Sequence, residues 1–220
     1  MLLLCWSAKG GVGTTVVAAG LALLSVHHAP TTIIDLQGDL PAALGVAEPP
    51  GPGVAAWLDA PSAPSGSLLR LGAPVVDGLH LVHAGGLLAS QLDETSWHRL
   101  IASALVADAG SVVIIDAGSQ PPSPDACAAA TASILVVRPC YLTLRRCIPV
   151  ASAATGAVLV AEPGRALDRA DVERALGVPV MAEVPWDPAI ARAVDAGLLA
   201  ARLPLGLSRS LRAVTWDRAA

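Results

Sequence analysis

The chain has 220 residues, 54% hydrophobic and 15% charged, with a mean hydropathy of +0.60. That is enough for one sizeable domain, and it excludes a disordered or polar-tail protein. A net charge of −4 and a sequence pI of about 5.6 exclude a broadly electropositive nucleic-acid binder, and 3% aromatics with no Phe require a core of Ala, Val, Leu and Ile.

The first apolar run, residues 2–6, predicts a buried strand. No basic region precedes it, so it makes a poor signal peptide. Residues 7–13 predict a Gly-rich turn and 14–26 a helix. A second strand is expected over 31–36, then a polar turn and a short helix near 41–44. Pro and Gly cluster over 48–66, which predicts a surface loop with one helical turn near 54–58. Strands are expected at 79–83, 111–116, 134–137, 157–160 and 178–184. Helices are expected at 93–107, 125–131, 142–150, 168–176 and 188–196, with a helical tail over 204–220. The longest stretch free of Asp, Glu, Lys and Arg, residues 10–34, is interrupted by Gly, Thr, His and Pro and does not suit a spanning helix.

Strands uninterrupted by charge that alternate with Ala/Leu-rich helices predict one α/β domain over 1–220: a doubly wound, mostly parallel sheet with helices on both faces. The four cysteines (Cys5, Cys127, Cys140, Cys147) lack metal-ligand spacing and read as thiols in a reducing, cytoplasmic setting.

The most informative segment is Lys9-Gly10-Gly11-Val12-Gly13-Thr14-Thr15-Val16, between a predicted strand and a predicted helix. Glycines there let backbone amides turn inward around phosphate oxygens, and the helix N-terminus adds free N–H groups and its dipole. A hydroxyl in the first helical turn suits Mg²⁺. Lys9 is the only lysine among 14 basic residues.

This segment resembles the deviant Walker A motif of the ParA/MinD family of P-loop ATPases, K-G-G-x-G-K-[ST]-[ST], and the resemblance extends over most of the chain. It implies a P-loop NTPase fold, ATP/ADP and Mg²⁺ as cofactors, and phosphate binding by residues Lys9 through Val16. It also implies a nucleotide-dependent homodimer in which Lys9 reaches the partner's nucleotide. Thr15 matches the Mg²⁺-ligating hydroxyl. Thr14 stands where the P-loop lysine is expected, and losing a cation about 4 Å from a phosphate removes on the order of 1–4 kcal/mol. Slow or impaired hydrolysis is therefore expected.

Thr32-Ile33-Ile34-Asp35-Leu36-Gln37-Gly38-Asp39 resembles the family's D-x-D-P-Q-G-N segment. Asp35 falls on the second aspartate, Ile33 replaces the first, and Asp39 takes the Asn position. The resemblance implies catalytic roles for Lys9, Asp35 and Asp39. Val112–Ser119 resembles Walker B, with Asp116 as a metal ligand beside Thr15. Val184-Pro185-Trp186-Asp187 resembles the segment that packs Pro185 beside the base. Val160 and Ala161 lie where the family has a base-reading Asn.

Arg138, Arg145 and Arg146 read as solvated helix charge, with a dimer interface or a partner as the alternative. The tail, with Arg209, Arg212, Arg218 and an apolar stripe through Trp216, reads as a helix docked on the sheet, and a surface helix facing membrane or nucleoid DNA is the alternative. The resemblance implies a switch that positions cellular cargo through an adaptor protein, cytoplasmic or peripheral at membrane or nucleoid. The missing lysine is also similar to the CpaE/TadZ branch, which implies a hydrolysis-dead scaffold for pilus or secretion assembly.

Overall fold

The computed structural model describes residues 1–86 and 92–216. Eight strands form one sheet: β1 (Leu2–Trp6), β2 (Thr31–Asp35), β3 (Ala73–Val76), β4 (Leu79–Val82), β5 (Val112–Asp116), β6 (Ala132–Val137), β7 (Gly156–Ala161) and β8 (Val180–Pro185). Their order is β3-β4-β2-β5-β1-β6-β7-β8, and every pairing is parallel except β3 with β4. The doubly wound α/β architecture expected from the alternation is therefore present.

The helices are α1 (Thr14–Ser25), α2 (Leu40–Leu44), α3 (Val54–Leu58), α4 (Glu94–Leu105), α5 (Pro124–Ala129), α6 (Tyr141–Cys147), α7 (Arg169–Leu176), α8 (Pro188–Asp195) and α9 (Leu205–Trp216). Successive strand residues point to opposite faces, and both faces are covered. Leu2, Leu4, Trp6, Val113, Ile115, Leu135 and Val137 enter one core with residues of α4 to α7. Leu3, Cys5, Val112, Ile114, Ile134 and Val136 enter the other, with α1 and α9. This explains why the central strands read as unbroken apolar runs. Trp6, with no solvent exposure, donates its indole N–H to Ser133 Oγ at 2.8 Å, tying the end of β1 to β6.

The Pro/Gly-rich stretch 48–66 contains α3, whose Trp57 is buried in the first core. Arg99 stacks over Trp57 at 4.4 Å and donates to the carbonyls of Trp57, Leu58 and Ala60. Strand β3 was not expected from the sequence. It is short, antiparallel and only partly buried, and Pro74 sits in it, as edge positions tolerate.

Helix α9 docks through buried Leu207, Leu211 and Val214 against β8 and α1, in agreement with the docked-helix reading. Arg209 and Arg212 are exposed, and Arg218 lies outside the described residues. Cys5, Cys127 and Cys147 are buried and Cys140 half-buried, all as free thiols. Among the described residues, no helix is long and apolar enough to cross a membrane.

Candidate functional site

The site lies at the carboxyl ends of the central strands, where a parallel sheet presents the loops that follow each strand. Cys5, Asp116 and Asp35 stand in register at the ends of β1, β5 and β2. The following loops are stitched together by Ser7 N–H to the Gly118 carbonyl (2.9 Å), Ala117 N–H to the Cys5 carbonyl (2.9 Å) and Leu36 N–H to the Asp116 carbonyl (3.0 Å).

Residues 7–13 leave β1 and enter α1 through Gly13, at φ 102°, a left-handed conformation that an L side chain resists. No side chain caps α1, so its first amides stay open to a ligand. Gly10, Gly11, Gly13, Thr14, Thr15, Val16, Gln37, Asp39, Gly118 and Ser119 line a cleft of about 190 Å³ at that helix end. The expected phosphate-loop residues thus converge on one cavity, except Lys9 and Val12. Lys9 is half-exposed and its ammonium donates to the carbonyl of the adjoining Gly10 at 3.1 Å. Val12 is buried under the loop.

Asp116 has no solvent exposure. Its Oδ1 accepts from Gly118 N–H at 3.0 Å, while Oδ2 has no hydrogen-bond partner. Burial pushes its carboxyl up to about 7; the neighbouring Thr15 hydroxyl and Gly118 amide offset this only in part, and the Asp35 carboxylate adds to it. An orphaned buried carboxylate oxygen beside a hydroxyl is a hard-oxygen donor set, and it fits Mg²⁺.

Asp35 is equally buried, but both of its oxygens are engaged. Oδ1 accepts from Gln37 and Gly38 N–H (2.9 and 2.8 Å), and Oδ2 from Leu40 N–H at 3.0 Å. Burial raises its carboxyl above the ordinary range, against the pull of these three amides. The side chain shapes the turn from β2 into α2. Asp39, by contrast, is exposed on the cleft wall with no cap hydrogen bond.

A second, apolar slot of about 180 Å³ adjoins the cleft and shares Gly13 and Val16 with it. Pro185 lines it, together with Val12, Val160, Val184 and Ile190. Arg138 also lines it, which corrects its reading as solvated helix charge: it sits at the end of β6, not on a helix. Its guanidinium lies 4.7 Å over the Trp186 ring and its Nε is buried without a partner. Arg145 and Arg146 are exposed on α6, as solvated charge would be.

No family model matches the chain, and no curated protein sequence does. Solved structures do. A ParA family ATPase from Chlorobium tepidum TLS is 15% identical, with 98% of each chain covered and a TM-score of 0.75. The septum site-determining protein MinD with Mg-ADP from Pyrococcus horikoshii OT3 is 18% identical (97% of this chain, 93% of that one) at a TM-score of 0.73. The ATP complex of a single-residue variant of Cyanothece McdA is 18% identical (97% and 95%) at 0.67. At these identities the common property is architectural: the chain adopts the fold of the ParA and MinD P-loop ATPases.

Proposed function

We propose that the protein is a nucleotide-dependent dimeric switch of the ParA/MinD kind that positions cellular cargo or machinery through an adaptor, with slow hydrolysis. The observation that carries this reading is the orphaned, buried Asp116 Oδ2 beside Thr15, which itself lines a cleft walled by the glycine-rich loop. A nucleoside triphosphate with Mg²⁺ answers both halves of that arrangement. The uncapped amides of α1 would hold its phosphates, and the Thr15 hydroxyl and Asp116 carboxylate would hold the cation. Bound Mg²⁺ neutralises charge on the phosphate oxygens. Gln37 and Asp39 face the same cleft and are the side chains placed to orient water there.

Two features limit turnover. Thr14 brings no cation to the phosphates, and Asp35 is committed to three amides. Lys9 stands on the rim, where a second copy of the chain can be reached. These points also support a scaffold that binds nucleotide without hydrolysing it, as the CpaE/TadZ likeness implies. Membrane surface and nucleoid DNA are the candidate platforms, with the exposed Arg209 and Arg212 of α9 as candidate contacts.

Titration with Mg²⁺ and nucleoside triphosphate, followed by sedimentation velocity and phosphate release, tests the proposal. The expected outcome is a nucleotide-driven monomer-to-dimer shift that Lys9→Ala abolishes while nucleotide affinity changes little. If Lys9→Ala leaves assembly intact, the bridging role is wrong. Thr14→Lys should raise phosphate release about tenfold or more by returning a cation to the transition state. Unchanged turnover in that variant would favour the scaffold.

A further inference from the structure

The apolar slot beside the phosphate cleft holds one polar feature that packing does not explain. Arg138 leaves the end of β6 and lies over Trp186, beyond the end of β8. Stacking holds the guanidinium plane but uses none of its N–H groups. Its Nε is buried and unpartnered among aliphatic walls formed by Val12, Val160, Val184 and Ile190. A buried donor left unmet is costly, so an occupant that supplies an acceptor is favoured. The carboxylates at the slot do not supply one to Nε. Asp187 Oδ1 accepts from Ala189 N–H at 2.8 Å, and Asp195 is exposed.

This inference rests on the nucleotide reading of the neighbouring loop, because the slot is where a base bound there would lie. A flat purine held there would lie among Val160, Pro185 and Ile190 of α8, with Arg138 on the same lining. The bases differ at the edge that would meet the guanidinium. A 6-oxopurine carries two acceptors side by side, N7 and O6, which match the paired N–H groups of a guanidinium. Adenine carries N7 but sets an amino donor beside it, which opposes a second guanidinium donor. Among the described residues no amide side chain lines the slot to accept from that amino group: Val160 lines it near the end of β7, and the remaining side-chain acceptors are Asp187, which already accepts from Ala189 N–H, and the exposed Asp195.

We infer that Arg138 reads the base and selects a 6-oxopurine nucleotide, guanine or hypoxanthine, over adenine. Calorimetric titration of the full chain with GTP, ITP and ATP, each with Mg²⁺, tests this. GTP and ITP should bind at least about fivefold tighter than ATP, which corresponds to about 1 kcal/mol at the low end for a bidentate contact. ITP separates an acceptor at position 6 from the amino group at position 2, so it should follow GTP. Arg138→Ala should bring the three affinities together. Arg138→Lys, a single point charge, should leave only part of the preference. Thermal unfolding of each variant confirms that it is folded, and the wild-type ratio stands without any variant. If ATP binds as tightly as GTP or tighter, the selection by Arg138 is overturned and the nucleotide site survives. If none of the three binds at millimolar levels, the nucleotide reading fails and this inference falls with it.

Discussion

Two aspartates stand side by side at the ends of neighbouring strands, and their oxygens are used in opposite ways. Asp35 spends both oxygens on the backbone of residues 37–40, whereas Asp116 keeps one open. Removing Asp35 should therefore be felt first in folding. Asp35→Ala is expected to lower the unfolding free energy by about 1–3 kcal/mol, and Asp35→Asn, which keeps an acceptor for two of the amides, by less. Urea unfolding measures both. If Asp35→Ala folds as stably as the wild type but loses turnover, the side chain is a catalytic group after all. The difference between the two residues was not legible in the sequence, where each is an acid closing an apolar run. It depends on whether a backbone amide further along reaches the second oxygen, as Leu40 N–H does for Asp35 Oδ2 and none does for Asp116 Oδ2. Gly118 leaves room for the Gln37 side chain, which a Cβ there would meet. Arg138 was hidden for a related reason. Trp186, which holds it, is distant in sequence and meets it only once β6, β7 and β8 lie side by side.

At the scale of elements, strand and helix existence was legible because burial on both faces leaves a plain sequence trace. β1, β5 up to its closing Asp116 and β6 apart from Ser133 are apolar runs, and the structure makes them the neighbouring central strands. β3 left no such trace. Its residues are half-buried or exposed, it pairs on one side only, and proline lowers its strand propensity. Boundaries moved where caps decide them. The helix expected from Asp168 starts one residue later, because Asp168 is the cap itself and accepts from Asp171 N–H in a capping box. The joint between β1 and β6 gives a test at this scale. Ser133→Ala strands the buried Trp6 indole N–H and should cost about 1–3 kcal/mol, read as a lower urea midpoint. Ser133→Thr keeps the hydroxyl and should recover part of the loss.

For the whole molecule, the buried Asp116 links stability to pH. Its carboxyl titrates near 7 in the folded chain against an ordinary value of 3.8, so the folded state holds the proton more tightly than the unfolded one. The stabilisation is fully present below about pH 4 and is lost as pH rises through about 7, a change of up to about 4 kcal/mol in metal-free protein. Unfolding in chelator near pH 5 and near pH 8 should show greater stability at the lower pH. Asp116→Asn should flatten the difference, and Mg²⁺ added near pH 8 should return stability to the wild type alone. Equal wild-type stability at both pH values would mean that water reaches the carboxylate. The sheet order carries one more consequence. β1 pairs Leu2 with Val113 and Leu3 with Ala132, so the N-terminal strand stays unpaired on both edges until much of the chain has left the ribosome. Parallel pairing over such separations is slow, and LLLCW is an apolar segment exposed in the meantime. Newly made β1 should depend on chaperone holding until β5 and β6 follow, and chains truncated before β5 should aggregate.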